Sequence, residues 1–273
     1  MAKVRKERID KLLVELGLAT DVAEAARFLM AGLVVVNDHR VDKAGTKVSA
    51  ESDIRLKTHI PYVSRGGLKL EKAISAFDIT FQDKTVVDIG ASTGGFSDVA
   101  LQNGAAKVFS IDIGRGQLDP KVYNNPKVTV LDETNFTKID FDVIGVKADL
   151  FVADVSFISL EKIISACVQF AEKSECVFLI KPQFEAGHGE VEKGGIVHDR
   201  SVHERVIMEV VNYGEENGFS LHGLCASPIK GAKGNVEYLA YFVYNAHSEG
   251  IEIKNTINKV VYEEYCYYSQ TTR

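Results

Sequence analysis

No run of apolar residues in this 273-residue chain approaches the roughly 20 needed to cross a bilayer, and the mean hydropathy is only -0.03. The amino end, Met1–Leu13, is charged and holds no apolar core segment, so a secretory leader is not expected. Cysteine is scarce. The four present (Cys167, Cys176, Cys225 and Cys266) are scattered without a C-x-x-C pair, which predicts free thiols in a reducing cytoplasm. The histidines lack H-x-x-x-H spacing, so no metal is expected. An excess of positive charge is missing too: the formal net charge is -6, which taken alone argues against a nucleic-acid partner.

The charge is unevenly spread, however. Residues 1–60 carry 11 Lys/Arg against 9 Asp/Glu, while the remainder is acidic by 8 charges. That split predicts two modules with different tasks. In the first, "ERIDKLLVELGLA" places Ile9, Leu12, Leu13 and Leu16 at helical spacing before Gly17. "TDVAEAARFLMAGLVVVN" repeats the pattern, with Thr20 as the expected cap and Gly32 as the stop. Short strands follow, with a turn at Asp38-His39. This segment, "RIDKLLVELGLA" through "AGLVVVN" and "GTKVS", resembles an S4 domain. The resemblance implies a basic helical face that grips folded RNA through phosphate and shape, with Arg5, Lys6, Arg8, Lys11, Arg27 and Arg40 as candidates. The chain departs from that pattern early in the second helix, where Asp21 and Glu24 stand in place of basic residues. The expected module spans residues 1–58, with a linker at 59–63 around Pro61.

From residue 64 onward, strands and helices alternate. The strand candidates are 85–91, 107–113, 128–134, 150–156, 176–182, 221–228 and 237–245, with helices at 96–102, 160–171 and 202–217 between them. The first five strands are continuous apolar runs, the mark of a parallel sheet buried on both faces. The expectation is an α/β, Rossmann-like domain over 64–245, with a seven-stranded, mostly parallel sheet, followed by a helical tail at 246–273. Its ligand belongs at the carboxyl ends of the strands.

The first strand ends in a glycine turn, "TVVDIGASTGGFS". This turn lacks the lysine of a P-loop and the G-x-G-x-x-G spacing of a dinucleotide fold. It does match G-x-S-x-G, but the histidines offer no partner for a hydrolase triad. What fits is S-adenosylmethionine. Asp88, Asp112 and Asp132 end successive strands, and between them they suit the cofactor's amino group, ribose hydroxyls and adenine amine. Any one of them alone reads equally well as a helix cap. Gly90, Gly94 and Gly95 let backbone approach the ligand. Ala91, Ser92, Thr93, Phe96 and Ile113 complete the expected cofactor set.

The fourth strand ends "ADVSF", without the Asn/Asp-Pro-Pro-aromatic loop of amine methylation, and no cysteine is placed for attack on cytosine C5. A hydroxyl acceptor remains, and its tightly held proton calls for a base. Lys69, Asp154, Lys181 and Glu237 follow in an order that resembles the catalytic tetrad of FtsJ-type ribose 2′-O-methyltransferases. With the S4-like segment, "YVSRGGLKL", "DIGASTGGF" and "KGGIVHD", the chain resembles the TlyA family, once called haemolysin A, to about residue 245. The resemblance implies ribosomal RNA or ribosomal subunits as partner and cytidine in 16S or 23S rRNA as acceptor. A monomer with no membrane partner is expected. Burial at a strand end and like charge from Lys69 are expected to lower the Lys181 amine and fit it as a base.

The charged, glycine-rich segment after Lys181 is expected to overlie the site, with Arg65, Arg115, Lys193 and Arg200 as further RNA candidates. Two rival readings stand beside this one: a membrane-active haemolysin, and a non-catalytic RNA-binding factor in ribosome assembly.

Overall fold

The computed structural model describes residues 5–30, 32–37, 39–56, 60–187, 189–231, 233–246 and 251–271. Asp38 of the expected turn, residues 57–58 at the end of the expected first module, residue 59 of the expected linker and His188 lie outside them. The chain divides into two compact units, Met1–Pro61 and Tyr62–Arg273.

The first unit runs β1 (Lys6–Arg8), α1 (Ile9–Glu15), α2 (Val22–Met30), β2 (Val34–Val36), β3 (His39–Val41), β4 (Lys47–Ser49) and β5 (Ile54–Leu56). The helical spacing read from the sequence is the buried face: Ile9, Leu12 and Leu13 pack with Ala25, Leu29, Val34 and Val36. Strands β3, β2 and β5 form one antiparallel sheet in that order, and β1 pairs with β4. The cap of α2 differs from expectation. Asp21, not Thr20, accepts from the Glu24 amide at 2.7 Å, and Glu24 reaches back to the Thr20 amide at 2.7 Å. The two acidic residues that break the S4 pattern therefore form a capping box.

The second unit runs α3 (Gly67–Phe77), β6 (Thr85–Ile89), α4 (Gly95–Gln102), β7 (Lys107–Ile111), α5 (Pro120–Tyr123), β8 (Val128–Leu131), α6 (Phe141–Ile144), β9 (Leu150–Ala153), α7 (Leu160–Cys167), β10 (Glu175–Ile180), α8 (Pro182–Glu185), α9 (Arg200–Glu216), β11 (Phe219–Ala226), β12 (Tyr238–Tyr244) and α10 (Ile253–Thr271). One seven-stranded sheet orders these strands β11-β12-β10-β9-β6-β7-β8. The five from β10 to β8 are mutually parallel, and β12 runs antiparallel to both β10 and β11.

Neighbouring residues on a strand face opposite layers. Val86, Val108, Val152 and Leu179 join the core with Leu70 of α3 and Val99 of α4. Val87, Phe109, Phe151 and Phe178 join the core with Ile163 of α7, Val206 of α9 and Ile257 of α10. Two apolar layers explain why these strands read as unbroken apolar runs. The chain leaves β6 toward β7 and β8 on one side and continues through β9 to β10 on the other. The carboxyl ends of β6 and β9 therefore flank the switch point where such sheets bind ligands.

The elements also end earlier or start elsewhere than expected. β6 stops at Ile89 because Gly90 turns with φ +78, and β9 stops at Ala153, releasing Asp154 from the ladder. The α-helix begun at Leu160 gives way at Cys167 to a 3-10 turn through Phe170. The stretch after Lys181, expected as loop, opens with the short helix α8, and α9 begins at Arg200, two residues early.

Candidate active site

The glycine turn is built by close approach. A Cβ on Gly90 would lie 3.1 Å from the Asp154 carbonyl oxygen and from Val155 Cγ1. Ser92 sits in the left-handed region at φ +48. Asp112 holds this shape: it accepts from the Ser92 amide at 2.8 Å and from the Gly114 amide at 2.7 Å. Asp132 accepts from the Gly116 amide at 2.7 Å. A cavity of about 230 Å³ opens over the turn, lined by Asp88, Gly90, Ala91, Ser92, Thr93 and Phe96 of the expected cofactor set. Gly94, Asp112, Ile113 and Asp132 stand outside that lining. Asp112 and Asp132 organise the loops around it through backbone amides.

A second cavity, about 700 Å³, adjoins the first. Lys69, Asp154, Lys181 and Glu237 all line it, although they come from α3, the end of β9, the end of β10 and the start of β12. The register brings the last two together, because Ile180 pairs with Tyr238 and Lys181 and Glu237 extend past that pair at the same sheet edge. Lys181 Nζ donates to Asp154 Oδ1 at 2.6 Å, and Lys69 Nζ donates to Asp154 Oδ2 at 3.0 Å and to Glu237 Oε2 at 2.8 Å. Gln183 donates to Glu237 Oε1 at 3.1 Å. Both carboxylates thus spend both oxygens on fixing their neighbours.

The electrostatics differ from the expected lysine–lysine repulsion, because Asp154 lies between the two ammonium groups. Burial works to lower the Lys69 ammonium, but Asp154 and Glu237 outweigh it and hold Lys69 above its ordinary value. Burial works to raise Asp154, but Lys181 and Lys69 outweigh it and hold the carboxyl below the usual range. At Asp88 burial wins, reinforced by the Asp154 and Asp112 charges. The carboxyl is pushed up to about 7 against hydrogen bonds from Ser97.

Six residues line both cavities: Ser64, Gly66, Ser92, Asp154, Ser156 and Lys181. Among the side chains at the site that escaped the sequence reading, three stand out. Ser156 accepts from Lys181 Nζ at 3.1 Å. Phe157 is 90% exposed, has φ +61, and packs against Phe184 at 4.8 Å between ring centroids. Asn235 staples the "KGGIV" segment, accepting from the Val197 amide at 3.1 Å and donating to the Gly195 carbonyl at 2.8 Å. The signal for the first two was positional, since they directly follow the carboxylate that ends β9. Asn235 left only the string "GNVE".

The expected RNA contacts divide. Arg5 pairs with Glu15, Arg8 with the buried Asp10, Arg115 with Glu133 and Arg200 with Glu204. The Arg40 guanidinium lies against Gly32. Lys6, Lys11, Arg27, Arg65 and Lys193 make no ion pair among the described residues. Arg65, Lys230 and Lys233 rim the larger cavity, and Gly195 of the stapled segment lines it. His203 is buried between the Tyr238 hydroxyl and the Val197 carbonyl. Among the described residues no group of three or more His, Cys, Asp or Glu could hold a metal ion, and no helix is long and apolar enough to cross a membrane.

Residues 62–244 match the FtsJ-like methyltransferase family model. The chain belongs to the FtsJ-like methyltransferase family. Ahead of that domain, residues 7–54 match the S4 domain. The chain is 41% identical over 240 residues to the Mycobacterium tuberculosis 16S/23S rRNA (cytidine-2′-O)-methyltransferase TlyA, covering 87% of this chain and 90% of that one. It is 40% identical over 240 residues to Hemolysin A of Brachyspira hyodysenteriae, covering 86% and 99%. A solved structure of a candidate hemolysin from Streptococcus thermophilus superposes with a TM-score of 0.74 at 38% identity, covering 98% of this chain and 100% of that one. With 98% of this chain covered, the likeness to the Streptococcus thermophilus structure spans the S4 segment as well as the methyltransferase domain.

Proposed function

We propose that the protein is an S-adenosylmethionine-dependent ribose 2′-O-methyltransferase that acts on cytidine in ribosomal RNA. The observation that carries this reading is the junction of the two cavities: Asp154 and Lys181 are the two ionisable residues that line both. A group transferred from the first cavity to a nucleotide in the second passes beside them.

The residues of the smaller cavity fit the cofactor. A carboxylate at Asp88 suits an ammonium, and Gly90 and Gly95 line the same cavity, where the turn packs against Asp154 and Ser64 too closely for a Cβ. Bound there, S-adenosylmethionine supplies an electrophilic methyl on a positively charged sulfur. The chain's own residues do the rest. An ammonium has three N–H donors, and Asp154 and Ser156 take two of those of Lys181, leaving one position toward the acceptor. In its amine form Nζ uses that position to accept the 2′-hydroxyl proton as the oxygen attacks. Asp154 fixes both lysines, and Glu237 fixes Lys69. Phe157 offers an aromatic face for the acceptor base once it is turned out of its helix. Arg65, Lys230 and Lys233 meet phosphate at the rim, and the S4 unit delivers the enzyme to folded rRNA in the cytoplasm. A non-catalytic assembly factor has no use for this site: Lys69, Lys181 and Glu237 are each at most 7% exposed, an arrangement costly in desolvation.

The test is to incubate the protein with labelled S-adenosylmethionine and unmodified ribosomal subunits, then digest the RNA to nucleosides. A labelled 2′-O-methylcytidine is the expected product. A base-methylated nucleoside would sink the ribose assignment, and absence of label on both subunits would sink the substrate. Phe157→Ala is expected to raise KM for the RNA about tenfold, in line with roughly 1–3 kcal/mol for one stacked base, while leaving cofactor affinity unchanged. Steady-state titration of subunits against fixed cofactor reads this directly.

A further inference from the structure

Behind the smaller cavity lies a chain of buried hydroxyls that the transfer reaction itself does not use. Asp88 is 1% exposed, the next-to-last residue of β6. Ser97, in the first turn of α4, donates its hydroxyl to Asp88 Oδ2 at 2.6 Å. Ser110, next to Asp88 across the β6–β7 pairing, lies 2.7 Å from the Ser97 oxygen. When Asp88 is ionised the Ser97 proton is committed to the carboxylate, and Ser110 is then the donor in that contact. Ser97 and Ser110 are 0% and 1% exposed. The carboxylate is thus pinned from behind, while the residue still lines the cavity.

We propose that Ser110, Ser97 and Asp88 form a buried relay that makes cofactor binding proton-linked: Asp88 is protonated in the free protein and ionised when it meets the cofactor's α-ammonium. This inference rests on the methyltransferase reading of the cavity and deepens it. The charged groups facing Asp88 favour the protonated form when the cavity lacks a cation. Asp154 at the end of β9 and Asp112 beyond β7 both disfavour a third negative charge, and Lys181 at the end of β10 is already paired to Asp154. A carboxyl that titrates near 7 is poised to respond within the physiological range. Binding of an ammonium reverses the balance, and the proton leaves to solvent. The two hydroxyls decide how far the carboxylate can be ionised, because each hydrogen bond donated toward it favours the charged form.

The probe is S-adenosylhomocysteine, which carries the same α-ammonium and no transferable methyl, titrated calorimetrically into the full chain between pH 5.5 and 8.5. The expected result is a dissociation constant that rises about tenfold for each pH unit below 7 and is flat above it. In buffers of different ionisation enthalpy, close to one proton is released per bound ligand at pH 6. Ser97→Ala is expected to move the inflection upward and weaken binding at pH 7.5 by about tenfold. Ser110→Ala, which leaves the direct bond to Asp88 intact, is expected to shift it less in the same direction. Asp88→Asn is expected to abolish the pH dependence. A melting curve without ligand identifies any variant that has failed to fold, and the wild-type proton count stands without the variants. Binding that is flat with pH and releases no proton would overturn the relay while leaving the methyltransferase reading intact. An inflection unmoved in folded Ser97→Ala would overturn it as well. Absence of binding at every pH would overturn both.

Discussion

Replacing Lys181 with alanine is expected to reduce methyl transfer by about 10³-fold or more, a barrier increase of roughly 4 kcal/mol, with the fold intact. The fold survives because Asp154 keeps its bond to Lys69 and is not left as an orphaned charge. The informative companion is Lys181→Arg. A guanidinium preserves the charge and reaches Asp154, but it does not give up its proton in a protein. If Lys181 accepts the hydroxyl proton, arginine is as inactive as alanine. If it only neutralises or orients, arginine recovers much of the rate. Single-turnover transfer with saturating cofactor separates the two, because product release then drops out of the measurement. A Lys181→Arg rate within tenfold of wild type would remove the base and leave an orienting cation.

The second large effect falls on stability. Asp154→Ala leaves the Lys69 and Lys181 ammonium groups facing each other, with side chains only 9% and 8% exposed. Breaking a buried charge network by removing one partner costs about 3–5 kcal/mol, and the 20% exposure of Asp154 argues for the lower end. At about 2–4 °C per kcal/mol for a unit of this size, the melting temperature is expected to drop by about 10 °C. The pH dependence has a definite sign. Asp154 is held below the ordinary carboxyl value of 3.8, so its contribution is fully present above that value and lost as pH falls through the depressed one. Lys69 is held above the ordinary 10.5, so its contribution is present below that value and lost as pH rises through the elevated one. The gap between wild type and Asp154→Ala is therefore expected to be constant from pH 5 to 9 and to close at both extremes. Chemical denaturation across that range measures it, and a variant as stable as wild type at pH 7 would show that the network carries no net stability.

Much of this architecture was legible before any coordinates. A strand buried on both faces takes mostly apolar side chains, so β9 and β10 read as apolar runs, and β6 and β7 did so despite the buried Asp88 and Ser110 within them. The glycine turn was legible for a similar reason, since Gly90 occupies a place where a Cβ would collide with backbone. Charge pairing was less visible. Lys69 and Glu237 are 168 residues apart, and nothing local in either sequence context says that one carboxylate would sit between two lysines. The sequence reading therefore set Lys69 against Lys181 without the Asp154 carboxylate that pairs with both. The pairing of the basic residues in the first unit was hidden for a related reason. Arg5 and Arg8 counted as RNA-facing charge in the sequence, but their acidic partners lie two to ten residues away and return to them once α1 forms. Asp112 and Asp132 were placed on the correct edge of the sheet. Their oxygens go to backbone amides because the loops there leave N–H groups pointing inward. Short-range side chain to backbone bonds of this kind depend on loop dihedrals that a residue pattern does not specify.

The reversed direction of β12 has a consequence for the order in which the site comes into being. The residues lining the cofactor cavity lie between Ser64 and Lys181, whereas Glu237 arrives on the last strand of the sheet to be synthesised. An emerging chain that has reached α8 already carries every residue that lines the smaller cavity. Lys69 still has only one of its two carboxylates, and the acceptor side of the site has neither its stapled wall nor its Glu237. The smaller cavity and the full charge set around Lys69 are therefore complete at separate points of synthesis, the second closed by a strand that enters against the grain of its neighbours.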